Sequence, residues 1–512
     1  MKLEKTIALL AIGAVFVLGG AAVWMGGLNQ DEGWYLYAAQ LVGEGQLPYR
    51  DFFFTQGPLF PIVYSAFAWT WRSAGLLGAR LLTLGLGLCG IVFAMALVRR
   101  LVPAERARTA ALCVFVLLGS NLYHLYYLTI PKAYALAGLF VILGFYLLAV
   151  AAERRKWIAA VAGLSLAFAA GTRISLGALL CAVGCWLVFK RDWRLLGWFC
   201  LGGFFGLGIA YGPFVLEDKA LAGLIAAQKY HAARGGFDLT WTVGSFSRLV
   251  RWYLPVFVLL GLGFFRRRPY FSTLSTFSTL SHLLFFGFLA VFVVQMAAPF
   301  PYEDYQVPVM SLLAVYSVVL ASQFPQPSKP PKLSKPPQPS QPSHTLLLLA
   351  LGMTWAGSFG SPLLEKWSVN GQDRFWSLKK DRFELAQLRD VARRIEALDP
   401  GGRDLLTQDL YLAVETGRKV PRGLEMGPFA MMSDAEWKSL LESAPCKVAA
   451  LSGYSFAINP PKCDERPMEW QMSCWETLKR RYSLVLKEEY FGQNATTLLV
   501  LKRKGEEKER TR

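Results

Sequence analysis

The sequence predicts a polytopic α-helical membrane protein that carries a small C-terminal α/β or α+β domain. Hydrophobic residues make up 54% of the 512 positions, charged residues make up only 18%, and the mean hydropathy is +0.33. Apolar runs of about 20 residues, long enough to cross the hydrocarbon core of a bilayer, recur as far as about residue 360. Because lipid offers no partner to an unpaired peptide group, these runs should be helices.

Basic residues gather at the ends of the apolar runs, as at Arg99–Arg100 and Arg154–Lys156. The positive-inside rule describes this distribution, so we assign the net charge of +18 to membrane topology and expect no nucleic-acid partner. Lys2 and Lys5 place the N-terminus in the cytoplasm, and about 11 spans follow in alternating orientation. We predict single spans at about 6–27, 75–98, 109–128, 133–151, 195–216, 252–265, 282–299, 306–322 and 345–359, and two more within 157–189.

The run 157–189 is interrupted only at Gly171–Arg173 and has basic clusters at both ends. Two positive flanks place both ends in the cytoplasm, which predicts a hairpin of two short helices with Arg173 at its outer bend. A single long helix would leave the guanidinium in hydrocarbon, at a cost of roughly 3 kcal/mol or more. Ionisable residues at such a depth usually serve function, so Arg173 is a candidate site residue.

The first outer loop, residues 28–74, is not polar throughout. Its stretches 33–42 and 58–71 are amphipathic or apolar, which predicts helices lying at the membrane surface. The loop also contains the acidic pair Asp31-Glu32, directly after the first span, and Asp51 in a Gly-x-x-Pro-Tyr-x-Asp-Phe turn.

The C-terminal third has a different composition. Residues 323–344 are rich in Pro, Ser, Lys and Gln and predict a cytoplasmic linker between the membrane domain 1–322 and the last span 345–359. An odd number of spans leaves residues 360–512 outside the cell as the small domain. Within it we predict helices at 383–398 and 411–416, and strands at 404–406, 448–451 and 496–501. Cys446, Cys463 and Cys474 would allow one disulfide there, with one cysteine left over.

Two roles fit Asp31 from the residues alone. An aspartate directly before a helix commonly caps it, and here the helix would begin at Glu32. A carboxylate held at the mouth of a membrane cavity can also act as a base towards an incoming hydroxyl group. The segment 301–308, with Tyr302, Glu303, Asp304 and Tyr305, faces the same side of the membrane. It would either line that cavity or form an ordinary interfacial loop with aromatic anchors.

A first span followed by Asp-Glu, the Gly-x-x-Pro-Tyr-x-Asp-Phe turn and a Pro-Leu entry to an apolar helix resembles the GT-C superfamily. The resemblance is to the family 39 glycosyltransferases, which are similar to protein O-mannosyltransferases and to the aminoarabinose transferase acting on lipid A. It covers residues 1–360. It implies a glycosyltransferase in the inner or plasma membrane that moves a sugar from a polyprenyl-phosphate donor to a glycan, lipid or protein acceptor on the outer side.

The resemblance also implies roles for residues. Asp31 would be the catalytic base or would position the acceptor, with Glu32 as the second choice. The departing lipid phosphate needs cationic stabilisation, for which Lys132 and Arg173 are the main candidates and Arg50, Arg248 and Arg251 are further ones. Lys132 could equally be an interfacial lysine that extends its ammonium to water. Independently of the resemblance, Asp51 would either bind the acceptor or order its loop, and Tyr302 and Glu303 would contact substrate if their segment lines the cavity. No motif demands a cofactor, but the carboxylates of Asp31, Glu32 and Asp51 could hold a hard divalent cation.

Two other functions remain open at this level. One is a transporter or flippase for a lipid-linked glycan, although the two halves of the chain show no convincing repeat. The other is a non-catalytic membrane scaffold whose C-terminal domain binds a cell-envelope partner.

Overall fold

The computed structural model describes residues 2–233, 236–267, 280–322, 352–354, 383–429, 432–453, 468–493 and 495–505. The predicted linker 323–344 lies outside these ranges, as do most of the predicted last span 345–359 and Cys463.

The membrane part is helical, as predicted. Its helices are α1 (Lys2–Met25), α2 (Gln30–Gly43), α3 (Leu59–Ala66), α4 (Trp69–Leu101), α5 (Ala104–Gly119), α6 (Leu122–Thr129), α7 (Ala133–Glu153), α8 (Ile158–Thr172), α9 (Gly177–Lys190), α10 (Trp193–Val215), α11 (Asp218–Ala232), α12 (Leu239–Trp252), α13 (Leu254–Arg267), α14 (Leu280–Met296) and α15 (Met310–Ser322). Short 3-10 helices precede α9 (Ile174–Leu176) and α15 (Glu303–Val309).

Among the described residues, five helices are long and apolar enough to cross a membrane, and the number rises to seven if each bent pair forms one span. The bent pairs are α5 with α6, at 68°, and α12 with α13, at 89°. Three shorter apolar helices add to these. Each span predicted before residue 322 coincides with one of these helices or pairs, while the total of about 11 stays a prediction.

Several helices expose large apolar side chains, as expected for surfaces that face lipid. Phe16 on α1 is 76% exposed, and Phe204 on α10 is 75% exposed. The opposite faces of these helices pack into one large apolar core shared by α1, α4 to α10 and α12 to α15. The protein is an integral, multi-pass membrane protein.

Two breaks interrupt the membrane helices near the first outer loop and the C-terminal domain. Gly75 adopts a positive φ of 61° inside α4, and its neighbour Leu76 donates its backbone N–H to the Glu415 carboxylate at 2.7 Å. The predicted break at Arg173 is also present, because Arg173 has extended backbone angles and separates α8 from the helical turn that leads into α9.

The C-terminal part is an α+β domain with an antiparallel sheet. It contains α16 (Glu384–Leu398), α17 (Leu410–Thr416), α18 (Asp434–Ser443), α19 (Met468–Arg481), β1 (Val448–Ser452), β2 (Tyr482–Phe491) and β3 (Thr496–Arg503). The strand order is β1-β3-β2, with Ala450 opposite Val500 and Leu484 opposite Leu501. The strand predicted at 404–406 is wrong, because Asp404 and Leu406 form only isolated bridges. Cys446 is a buried free thiol.

The C-terminal domain covers the first outer loop. Residues of both contribute to a second apolar core, in which Trp34, Phe54 and Phe60 join Tyr411 and Leu498. The approach is close: a Cβ added to Gly33 on α2 would lie 2.5 Å from the backbone nitrogen of Tyr411. The helix predicted at 33–42 is present as α2, which is almost entirely buried beneath the C-terminal domain.

Candidate active site

Asp31 lies in the first turn of α2, but it does not cap this helix. The cap is Asn29, whose side chain accepts a hydrogen bond from the Asp31 N–H, while the Glu32 carboxylate accepts one from the Asn29 N–H. The Asp31 carboxylate is thus left for other contacts. It accepts a hydrogen bond from the Trp34 indole at 3.1 Å and pairs with the Lys132 ammonium at 2.8 Å. About a third of the side chain remains exposed, at 32%.

Lys132 links two carboxylates. Its ammonium lies 2.8 Å from Asp31 and 3.6 Å from Asp304, and the side chain is only 7% exposed. Tyr134 donates its hydroxyl hydrogen to the same Asp304 oxygen at 2.8 Å. The ammonium also lies 5.3 Å from the centre of the Tyr134 ring. This packing fixes Lys132 in place and holds a positive charge beside Asp31.

Glu32 faces the interior instead. Its carboxylate is fully buried and receives two hydrogen bonds from Arg80, at 2.7 and 3.0 Å. Arg80 donates further to the backbone carbonyls of Val23, Gly26 and Gly27, at the end of α1 and in the turn that follows. The pair joins α1, α2 and α4, which is a structural arrangement that leaves no room for a substrate.

Arg173 lines an open cavity of about 310 Å³. Its guanidinium stacks on the Tyr305 ring at 4.1 Å and lies 5.2 Å from the Tyr134 ring. One part of the cavity wall is apolar and is formed by Ile174, Val294, Ala298, Pro299 and Phe300. The other part is polar, so the cavity can receive a ligand with a charged end and an apolar end.

Two tyrosines connect this cavity to the ion pair of Asp31 and Lys132. Among the described residues, Asp31 and Lys132 do not line the cavity. Tyr305 does, and its ring lies 4.1 Å from the Arg173 guanidinium. The Tyr134 ring lies 5.2 Å from the Arg173 guanidinium and 5.3 Å from the Lys132 ammonium, which pairs with Asp31. The carboxylate and the guanidinium therefore belong to one cluster.

The other predicted site residues lie around this cluster. Asp51 accepts a hydrogen bond from the Leu47 N–H at 2.8 Å and pairs with Arg50, and that pairing lowers the pKa of the Asp51 carboxyl group. These contacts order the loop, which is one of the two predicted roles. Glu303 is buried and pairs with Arg248 at 3.1 Å. Tyr302 packs edge-on against Trp241 and Tyr305.

Several residues of the cluster are not among the site residues that the sequence predicts. Asp304 and Tyr305 lie in the acidic and aromatic segment 301–308, but only their neighbours Tyr302 and Glu303 are predicted to contact substrate. Tyr134 follows Lys132 by two positions and carries no signal of its own. Arg80 could have been found, because it is a charged residue inside the predicted span 75–98.

The three carboxylates considered for a hard cation each face a basic side chain. Asp31 pairs with Lys132, Glu32 with Arg80 and Asp51 with Arg50. Within the described ranges, no group of three or more His, Cys, Asp or Glu residues is arranged to hold a metal ion.

The whole fold is similar to that of ArnT from Cupriavidus metallidurans bound to undecaprenyl phosphate. The two share 14% sequence identity and a TM-score of 0.61 over 97% of each chain. The apo state of that protein gives a TM-score of 0.60, over 96% of this chain and 97% of that one. The oligosaccharyltransferase of Archaeoglobus fulgidus in its apo form gives 0.52 at 10% identity, over 87% of this chain and 69% of that one.

This chain has the GT-C fold. The similarity lies in structure, since no protein-family model matches the sequence and the search of curated proteins finds no match. In this fold, the cluster of Asp31, Lys132 and Arg173 lies where the first outer loop meets the membrane helices.

Proposed function

We propose that this GT-C protein transfers a sugar from a polyprenyl-phosphate donor to an acceptor hydroxyl on the outer side of the membrane. The observation that carries the proposal is a part-exposed carboxylate, Asp31, whose partner Lys132 lies against the same Tyr134 ring as Arg173, and Arg173 lines an open, partly apolar cavity. The similar ArnT structure, which has undecaprenyl phosphate bound, supports the proposal.

In the proposed reaction Asp31 is the base. The acceptor oxygen attacks the anomeric carbon of the donor sugar and forms the new glycosidic bond. The bond between that carbon and the phosphate oxygen breaks, its electron pair stays with the phosphate, and the configuration inverts. The acceptor proton passes to the Asp31 carboxylate, which also accepts a hydrogen bond from Trp34 and pairs with Lys132.

Arg173 is the proposed partner of the leaving phosphate. Negative charge develops on the phosphate oxygens as the bond breaks, and a fixed guanidinium in a partly apolar cavity stabilises that charge strongly. Stacking on Tyr305 holds Arg173 in place before substrate arrives. Lys132 is engaged by Asp31 and Asp304, so we assign it to holding Asp31 instead.

The test uses purified protein in proteoliposomes with a polyprenyl-phosphate donor labelled in its sugar. We expect label to move to an added acceptor, and Arg173→Met to slow the transfer by about 10²–10³-fold. Lys156→Met is the matched control, because Lys156 pairs with Asp192 on the exposed surface. Movement of the labelled lipid across the bilayer without any transfer would instead identify a flippase and reject the proposal.

A further inference from the structure

The polar wall of the Arg173 cavity contains two amide side chains with unused hydrogen-bonding capacity. Gln295, at the end of α14, donates to the Ser175 hydroxyl at 3.0 Å, but its buried Oε1 has no hydrogen-bond partner. Gln228, on α11, has a buried Nε2 without a partner. Both residues line the cavity; Gln295 is only 3% exposed, whereas Gln228 is half-buried.

Unpaired polar atoms in a buried position cost free energy, which a suitable ligand recovers. An acceptor on Gln295 and a donor on Gln228 match hydroxyl groups, because each hydroxyl both donates and accepts. If the Gln295 amide is flipped, its oxygen and its nitrogen exchange positions, and one of these two atoms still has no hydrogen-bond partner. The wall thus suits an uncharged group that carries several hydroxyls.

The charge of the cavity also favours an uncharged sugar. Of the described residues that line it, none is acidic and Arg173 is the one basic side chain. The nearby carboxylates Asp31 and Asp304 are already paired with Lys132. A protonated amino sugar would therefore enter beside a guanidinium without a carboxylate to neutralise it, which is unfavourable at low polarity.

Resting on the proposed function, we infer that the donor carries a neutral, hydroxyl-rich sugar, and that Gln228 and Gln295 determine this specificity. The phosphate lies at Arg173, the first isoprene units lie along the apolar wall, and the sugar hydroxyls contact the two amides. A cavity of about 310 Å³ is at the small end for such sites, which suits a single sugar ring.

The experiment measures equilibrium binding to the full-length protein in detergent micelles. Three ligands share one polyprenyl phosphate chain, which carries no sugar, an uncharged hexose, or an amino sugar protonated at pH 7. We expect the hexose to tighten binding at least about tenfold over the bare lipid phosphate, and the amino sugar to give no such gain. Gln295→Leu and Gln228→Leu should each remove most of the gain.

Binding of the bare lipid phosphate shows that each variant is folded, and it should change less than twofold. Gln46→Leu is the matched control, because Gln46 lies outside the cavity lining, and it should behave like the wild type. The inference is overturned if the amino sugar binds as well as the hexose, or if both Leu variants keep the gain. If the wild type does not bind even the bare lipid phosphate, the proposed function fails as well.

Discussion

At the scale of single residues, Asp31 and Glu32 are neighbours with opposite environments. Successive residues on a helix point about 100° apart, so one side chain can face the cluster while the next faces the interior. Asp31 meets Lys132 and keeps a third of its surface exposed, whereas Glu32 is fully buried against Arg80. This geometry favours Asp31, the first choice from the sequence, over Glu32, the second choice, and we retain Asp31 as the proposed base.

Glu32→Gln should destabilise the protein strongly, because it leaves the buried Arg80 charge uncompensated. Breaking one partner of such a pair costs roughly 3–5 kcal/mol. Thermal unfolding in detergent should show this loss for Glu32→Gln and almost none for Asp31→Asn. Equal stability of the two variants would contradict the structural role of Glu32.

Lys132→Met should shift the pH dependence of transfer. Without the ammonium, the Asp31 carboxylate loses the cation that lies 2.8 Å from it, so proton binding by Asp31 becomes more favourable. The acidic limb of the pH–rate profile should then move up by about one unit or more. If the maximal transfer rate falls while its pH dependence stays the same, Lys132 acts on the leaving phosphate instead.

At the scale of elements, the C-terminal domain holds the start of α2. Glu384 accepts from the Leu28 N–H at 2.7 Å, and Gln493 accepts from the Gln30 N–H at 2.6 Å. The Gln30 side chain donates to Asp409 at 3.0 Å, and Tyr411 donates to the same oxygen at 2.9 Å. These contacts fix the turn that presents Asp31.

Because its carboxyl group titrates, Asp409 makes the stability of the folded protein depend on pH. Burial raises the pKa of its carboxyl group above the ordinary value of 3.8, so the folded state binds the proton more tightly than the unfolded state. Its contribution to stability is therefore greatest at low pH and falls as the pH rises from the ordinary value through the raised one.

Asp409→Asn keeps the oxygen that accepts from Gln30 and Tyr411 but removes the titration. The difference in Tm between this variant and the wild type should thus grow in favour of the variant as the pH rises across that window. Thermal unfolding of the detergent-solubilised protein over a pH series measures this difference. A difference that does not vary with pH would contradict the assignment.

The elements differ in how well the sequence predicts them. Apolar runs before residue 322 and the break at Arg173 are local signals, and the structure has helices and a break at those places. Strands β1 and β3 were found because their residues form continuous apolar runs. Strand β2 was missed because most of its side chains are exposed and it carries charged residues such as Lys487 and Glu488.

At the scale of the whole molecule, the candidate site depends on contacts between distant parts of the chain. Arg80 meets Glu32, Lys132 meets Asp31 and Asp304, and α17 covers Gly33. No local pattern encodes these pairings, since they arise only when the helices and the C-terminal domain pack together. The resemblance to known GT-C proteins ranked Asp31 ahead of Glu32, and the packing gives the two residues different partners.

The central claim is that the Asp31 carboxylate acts in the transfer step. The direct measurement is the rate of sugar transfer from a labelled polyprenyl-phosphate donor in a single turnover, with donor binding measured in parallel. We predict that Asp31→Asn lowers the transfer rate by about 10²–10⁴-fold and leaves donor affinity within a few-fold of the wild type. Transfer at the wild-type rate by a folded Asp31→Asn protein would contradict the account.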